Sequence, residues 1–419
     1  MVDLVRGTKD LFGSNLSKHK FIIQTAEKIC EKHNFQELQT PIMEKANLFT
    51  KALDSETDIM DKEIYLFQDK GQEWIALRPE FTACVMRYMM NLDQNELLKI
   101  PHKIFSSGPL FRYERPQAGR QRQFSQINFE IFGSESMLYD AELIFLAITI
   151  LNQLKIFNYQ IKINYLGDHN TKLKYENVLY QYFSQHKSML SEISQKRLEY
   201  NILRILDSKD PNDKAICINA PGIDSVLLDD DKAKFKELKG YLKALEINYV
   251  VDNHLVRGLN YYTGPIFEFV TDEIGAQSAI LGGGRYDNLY TNMGGKLING
   301  KNLFATGFAA GIERLSLLMT EYAKEGNIKI CLIPFSKEEN TEALIIANLL
   351  RGAIEDLTAE IMSYEAFLKK KLEMADKLGM HYVIVIGQNE IKSQIFSLRN
   401  MKTKEIYQLN IEGIINILK

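Results

Sequence analysis

The chain has 419 residues, 45% of them apolar, with 51 basic against 54 acidic side chains and a formal net charge of -3. That length exceeds one ordinary domain and predicts two or three with sizeable cores. The near-neutral balance excludes a protein that grips nucleic acid by bulk charge, so any RNA contact must be a local patch. Cys30, Cys84, Cys217 and Cys331 lack the paired spacing of a zinc site or a disulfide framework, which predicts buried thiols in a reducing compartment. The amino terminus MVDLVRGTKDLFG has no apolar signal core, and no later run of about twenty apolar residues suits a bilayer. A cytoplasmic location is expected.

In chain order, residues 6–13 are a turn-rich start. A helix is predicted from about 18 to 33, with Ile22, Ala26, Ile29 and Cys30 as its buried stripe and Ser17 as its cap. FQELQTPIMEKANLF predicts a strand ending at Pro41. In LRPEFTACVMRYMM, residues 77–90, Pro79 suits the first turn of a helix and sets Glu80 and Thr82 at the helix mouth. A carboxylate there can simply complement the helix dipole.

Residues 105–133, FSSGPLFRYERPQAGRQRQFSQINFEIFG, predict two antiparallel strands joined by a long turn. Ile127, Phe129 and Ile131 alternate with Gln126, Asn128 and Glu130, so one face is core and the other chemical. Arg112 and Glu114 share a face of the first strand, and the loop adds Arg115, Arg120 and Arg122. A guanidinium holds phosphate or carboxylate through two parallel hydrogen bonds, which a lysine cannot do. In isolation the stretch also reads as a surface hairpin with a solvated face.

From about 170 to 250 the sequence is helical and polar without a catalytic constellation, and His186 reads as a solvated helix residue. LVRGLNYYTGPIFEF, residues 255–269, predicts a strand, a turn at Gly264 and a second strand. A buried Arg257 there needs an anionic partner such as Glu268. In ILGGGRYDNLY, residues 280–290, the glycine triplet allows close approach to a ligand or a tight bend. ATGFAAGIERLSLLM, residues 305–319, passes from a small-residue strand into a helix with Arg314 in its first turn or two. A polar AKEGN linker precedes a small α/β domain, in which IKICLIPF, AEIMSY and YVIVIGQ are strands of a mostly parallel sheet. Helices are expected around Leu344 and Lys370, and Lys369, Lys370 and Lys371 form either an RNA contact or a solvated helix face.

FRYERPQAGRQRQFSQINFEIFG resembles motif 2 of the class II aminoacyl-tRNA synthetases, in the form of the histidine-specific subgroup. FQELQTPIMEKANLF resembles motif 1 and ATGFAAGIERLSLLM motif 3, while LVRGLNYYTGPIFEF and ILGGGRYDNLY resemble the two histidine-specific signatures. LKKKLEMADKLGMHYVIVIG is similar to the anticodon-binding domain of several class II enzymes. The resemblance spans nearly the whole chain and implies an α+β fold. Its parts would be a catalytic core with an antiparallel sheet flanked by helices over 1–325, a helical insertion at about 170–250, and a C-terminal α/β anticodon-binding domain over 326–419.

The same resemblance implies a homodimer that uses ATP and Mg²⁺ to activate histidine and passes it to tRNA(His), with no membrane or DNA partner. Arg112 and Arg257 would flank the α-phosphate and carboxylate as the catalytic pair. Arg120 and Arg314 would hold the outer phosphates, and Glu114 and Phe124 would position adenine. Glu80, Thr82 and Gln126 would take the ammonium group, Glu130 and Tyr262 the imidazole, with Tyr261 and Tyr286 beside it. Asn260 stands where the family pattern leads one to expect Asp, which touches none of these roles. The alternative is a histidine-sensing paralogue, a regulatory subunit of ATP phosphoribosyltransferase. Such paralogues typically lack the anticodon domain and the catalytic arginines, whereas this chain keeps Arg112, Arg257 and Arg314.

Overall fold

The computed structural model describes residues 2–52, 63–99, 101–117, 119–274, 279–320, 328–363 and 366–419. The chain divides into two compact units, Met1–Tyr322 and Ala323–Lys419. The expected AKEGN linker lies outside the described residues. Among these residues no helix is long and apolar enough to cross a membrane.

The strands of the first unit are β1 (Gln36–Glu37), β2 (Met43–Lys45), β3 (Tyr65–Gln68), β4 (Trp74–Leu77), β5 (His102–Phe111), β6 (Gln123–Phe132), β7 (Gln160–Tyr165), β8 (Val250–Val251), β9 (Thr263–Val270), β10 (Ala279–Arg285) and β11 (Ala305–Gly311). Eight of them form one sheet in the order β1-β5-β6-β11-β10-β9-β7-β8, and β2-β4-β3 form a small second sheet. The six central strands of the large sheet are antiparallel, with parallel pairing only at its two edges. This is the antiparallel catalytic sheet that the resemblance implied.

Alternation along β6 sorts the two faces. On one, Phe129 pairs across the ladder with Phe105 and Phe308, with ring centroids 4.9 and 5.0 Å apart, and Phe35 meets it edge-on at 5.4 Å. Each such pair contributes about 0.5–1.5 kcal/mol beyond area burial. Helices Gly13–Lys32 and Leu138–Gln153 pack together beside this core. Thr306, two residues from Phe308 on the same strand face, donates to Asp140 in the second of them. The opposite face, carrying Gln126, Asn128 and Glu130, is left for chemistry.

Several local expectations need correction. The first helix begins at Gly13, with Phe12 as an N-cap that offers no side-chain acceptor, so Ser17 lies inside it. The strand expected to end at Pro41 is two short ones on either side of it, β1 and β2. The helix expected to open at Pro79 starts at Thr82, so Pro79 precedes it. Arg112 and Glu114 lie just beyond β5. Residues 255–262 form no strand: their backbone is held by side chains instead, with Asn164 Nδ2 donating to Leu255 O and Lys172 Nζ to Asn260 O. Gly264, at φ +59°, is the second residue of β9. His186 caps the C-terminus of helix His169–Gln185 and packs on Tyr182.

The second unit contains β12 (Ile328–Pro334), β13 (Leu357–Ile361), β14 (Tyr382–Ile386), β15 (Phe396–Asn400) and β16 (Ile406–Leu409) in the order β13-β12-β14-β15-β16. β12 pairs parallel with β13 and β14, but the other two pairings are antiparallel, so the sheet is mixed rather than mostly parallel. Ile330 and Leu332 point into one core with Ile346 and Ile414, while Cys331 and Ile333 point into another with Ala375. A strand covered on both faces reads as a continuous apolar run, which explains IKICLIPF. Helices Asn340–Ala353 and Leu368–Lys377 occupy the expected places. Of the lysine run, Lys369 and Lys370 are exposed, whereas Lys371 is buried and donates to Pro334 O at 3.0 Å. All four cysteines are free and buried.

Candidate active site

The chemical face of the large sheet floors a cleft of about 860 Å³, a size that suits a small-molecule site. One row across the strands reads Asn128, Ala309, Gly282 and Glu268, and the next pairs Glu130 with Gly307. Small residues in the middle of a row with long polar ones at its ends make a trough. A Cβ on Gly282 would lie 2.5 Å from the Arg257 guanidinium. On the core face a Cβ on Gly283 would lie 2.6 Å from Phe308 Cβ. The triplet is therefore neither a bend nor a loop: it lies inside β10, and adjacent glycines make room on opposite faces.

Glu80, Thr82, Arg112, Glu114, Arg120, Phe124, Gln126, Arg257, Tyr261, Tyr262, Tyr286 and Arg314 all line this cleft. Glu130 sits at its back. Its Oε1 accepts from Thr82 Oγ1 at 2.7 Å and from Asn128 Nδ2 at 2.9 Å, while its buried Oε2 has no hydrogen-bond partner among the described residues. The Tyr286 hydroxyl and Arg257 Nε are likewise buried without a partner. Buried polar atoms in native proteins are nearly always paired, so three orphans around one cleft point to a polar ligand.

Glu80 does act as a helix cap, accepting from the Thr82 and Ala83 amides at 2.8 and 2.6 Å. Burial nevertheless raises its pKa above the ordinary value, with Arg112 and the amide hydrogen bonds pulling the other way. Burial pushes Glu130 up to about 8, with Glu80 adding to the effect. Both carboxyls are buried on Thr82, and a cation bound beside them would favour their ionised form.

Cations border the same cleft. Arg257 is ion-paired with Glu268 through Nη1, the partner anticipated from sequence. Burial opposes its charge, but Glu268, Tyr262 and Tyr261 together outweigh that and hold the guanidinium above its usual range. Arg112 donates from Nε to Pro79 O at 2.9 Å and lies 5.3 Å from the centre of the Phe124 ring. Glu114 and Arg120 pair with one another at 2.8 Å. Arg314, in the first turn of helix Ile312–Leu318, donates to Ala279 O at 2.6 Å. Burial and the neighbouring Arg120 and Arg112 lower its pKa, so this end of the cleft favours an anion.

Three tyrosines close the remaining wall: the Tyr261 and Tyr262 rings are 4.8 Å apart, with Tyr286 at 5.5 and 6.3 Å from them. The residues flanking Tyr286 anchor it from behind. Arg285 pairs with Asp140 and Asp287, and Asp287, pushed up to about 6 by burial, accepts the Ala305 amide. Glu313 and the Asp140–Arg285 pair were not singled out from sequence, and Asn128 was placed on the chemical face without a role. The alternation of β6 carried a signal for Asn128, which lies between Gln126 and Glu130 on the same face, but Asp140 is 145 positions from Arg285 and left no local one.

A family model described as "Histidyl-tRNA synthetase" matches residues 7–315, and one described as "Anticodon binding domain" matches 329–419. The chain is 44% identical to the histidine–tRNA ligase of Wolbachia sp. subsp. Brugia malayi (strain TRS), covering 96% of this chain and 94% of that protein. It is 42% identical to the enzyme of the same name from Orientia tsutsugamushi (strain Boryong), covering 95% and 94%. The apo S. aureus histidyl-tRNA synthetase crystal structure matches all of both chains with a TM-score of 0.79 and 28% identity. A Bacillus halodurans protein described as an ATP phosphoribosyltransferase regulatory subunit/histidyl-tRNA synthetase matches with a TM-score of 0.66 at 21% identity, covering 92% and 98%. At that identity it speaks to the fold alone.

Proposed function

The chain belongs to the histidyl-tRNA synthetase family, and from that premise we infer that it is a histidine–tRNA ligase, an ATP-dependent enzyme of protein synthesis. The observation that carries the reading to this site is the trio of buried orphans, Glu130 Oε2, Tyr286 OH and Arg257 Nε, in a cleft lined by both carboxyls and arginines. Histidine brings an ammonium group, an imidazole and a carboxylate. ATP brings the remaining anionic charge.

In activation the histidine carboxylate oxygen attacks the α-phosphorus of ATP, a new O–P bond forms, and the bond to the β-phosphate oxygen breaks to release pyrophosphate. Two anions must meet, so cations set in place beforehand lower the barrier. Arg257 and Arg112 take that role, Arg120 and Arg314 hold the outer phosphates, and Phe124 stacks on adenine with Glu114 at its edge. Glu80, Thr82 and Gln126 bind the ammonium group, while Glu130 and the tyrosines Tyr261, Tyr262 and Tyr286 select the imidazole. Among the described residues no group of three or more His, Cys, Asp or Glu could cage a metal. The residues present fit Mg²⁺ that arrives on the triphosphate, where it neutralises phosphate charge. The terminal ribose hydroxyl of the tRNA then attacks the adenylate carbonyl, and AMP leaves.

Residues 326–419 bind the anticodon end of tRNA(His), and 1–325 carry both reaction steps. The protein works as a cytoplasmic homodimer with no DNA partner. The exposed apolar residues of the β2-β4-β3 sheet, among them Met43 and Trp74, support a protein–protein contact there. Retention of Arg112, Arg257 and Arg314, together with the second unit, favours the ligase over a histidine-sensing regulatory subunit. The test is aminoacylation with purified transcripts: tRNA(His) should be charged with histidine, and a non-cognate tRNA should be charged at least about 100-fold more slowly. Equal charging of both, or of neither, would remove the tRNA part of the reading.

A further inference from the structure

We propose that Glu313 is a positioning residue that locks the adenine platform to the phosphate-binding helix, an inference that rests on the ATP assignment above. The ladder between β6 and β11 runs from Phe132↔Ala305 to Gln126↔Gly311 and stops there, because the chain turns into helix Ile312–Leu318. Ser125, the next residue of β6, therefore has an amide with no strand partner. The Glu313 carboxylate accepts it with both oxygens, at 2.9 and 3.1 Å. A side chain thus continues the ladder for one residue where the backbone cannot.

What this bond joins gives it a role beyond stability. Ser125 follows Phe124, over whose ring Arg112 lies, and Glu313 precedes Arg314. Elements 188 positions apart in sequence are tied at the point where each presents a group to ATP. Glu313 also borders the cleft, and burial raises its pKa while the Ser125 amide pulls it down. Without Glu313 a part-buried amide loses its acceptor, and Phe124 and Arg314 lose their common reference. Histidine, held by Glu80, Glu130 and Tyr262, does not depend on it.

The test compares Glu313→Ala with Glu313→Gln, whose amide oxygen can still accept from Ser125. Pyrophosphate exchange is measured with ATP and histidine varied separately, and histidine binding without ATP is followed by calorimetry. For Glu313→Ala the KM for ATP should rise about 10-fold and kcat should fall by a similar factor, as for a lost charge-assisted hydrogen bond, with the KM for histidine within about twofold. Glu313→Gln should stay within about threefold of the parent in all three constants. An unchanged KM for ATP in Glu313→Ala would overturn the proposal. So would a Gln variant as impaired as the Ala variant, or an Ala variant that no longer binds histidine. A parent protein inactive in exchange would instead reject the ATP reading itself.

Discussion

Replacing Glu130 by alanine is expected to lower kcat/KM for histidine about 10³-fold while leaving the circular dichroism spectrum of the protein unchanged, because a site built around hydrogen bonds loses discrimination when a buried partner disappears. Oε1 is already committed to Thr82 and Asn128, and only Oε2 is open. That oxygen points towards Gly307, whose Cβ, were it present, would lie 3.0 Å away. An unchanged rate with histidine would remove Glu130 from the recognition site. A related consequence concerns the ligand-free protein. Burial lifts the Glu130 pKa from its ordinary 4.5 to about 8. Between those values the folded state retains a proton that the unfolded chain has lost, so this group's contribution to stability falls as pH rises. Glu130→Gln cannot ionise, and it should melt a few degrees above the parent at pH 8 while differing little at pH 4.

Arg257→Ala should reduce kcat for pyrophosphate exchange about 10²–10³-fold, the cost of losing one preorganised group that stabilises developing charge, with histidine affinity changed far less. The reverse pattern, weak binding with a normal kcat, would contradict a transition-state role. Because Arg257 pairs with Glu268, the single variant also leaves a carboxylate unpaired in a confined site, which destabilises by about 3–5 kcal/mol where burial is complete. Glu268→Gln in the same chain should restore the melting temperature without restoring kcat. That separation distinguishes chemistry from structural support.

The parts of the molecule that were legible in the sequence have local causes. The alternation through Gln126, Asn128 and Glu130 marked both faces of β6, and Arg314 fell in the first turn of its helix because Gly307 and Gly311 mark the strand before it. The Arg257–Glu268 pair was legible because a buried guanidinium requires an anion and both residues flank the same turn. Residues 255–262 misled because their aromatic and apolar side chains resemble those of a strand. Leu255, Tyr261 and Tyr262 are buried by tertiary packing instead, and the backbone bonds that a strand would make are supplied by Asn164 and Lys172. The start of the helix at Thr82 depends on the Glu80 side chain taking two amides, a competition that helix propensity does not register. Nor does any local pattern connect Glu313 to Ser125 or Arg285 to Asp140.

On the proposed reading this cleft makes histidyl-adenylate. Amino-acid-dependent exchange of pyrophosphate into ATP, run with all twenty amino acids in parallel and without tRNA, tests it most directly. Exchange with histidine at least about 10³-fold above that with any other amino acid is the predicted result, given a pocket whose orphaned polar atoms reject apolar analogues. No exchange with any amino acid, from folded protein that still binds histidine, would contradict the claim and identify the cleft as a histidine sensor.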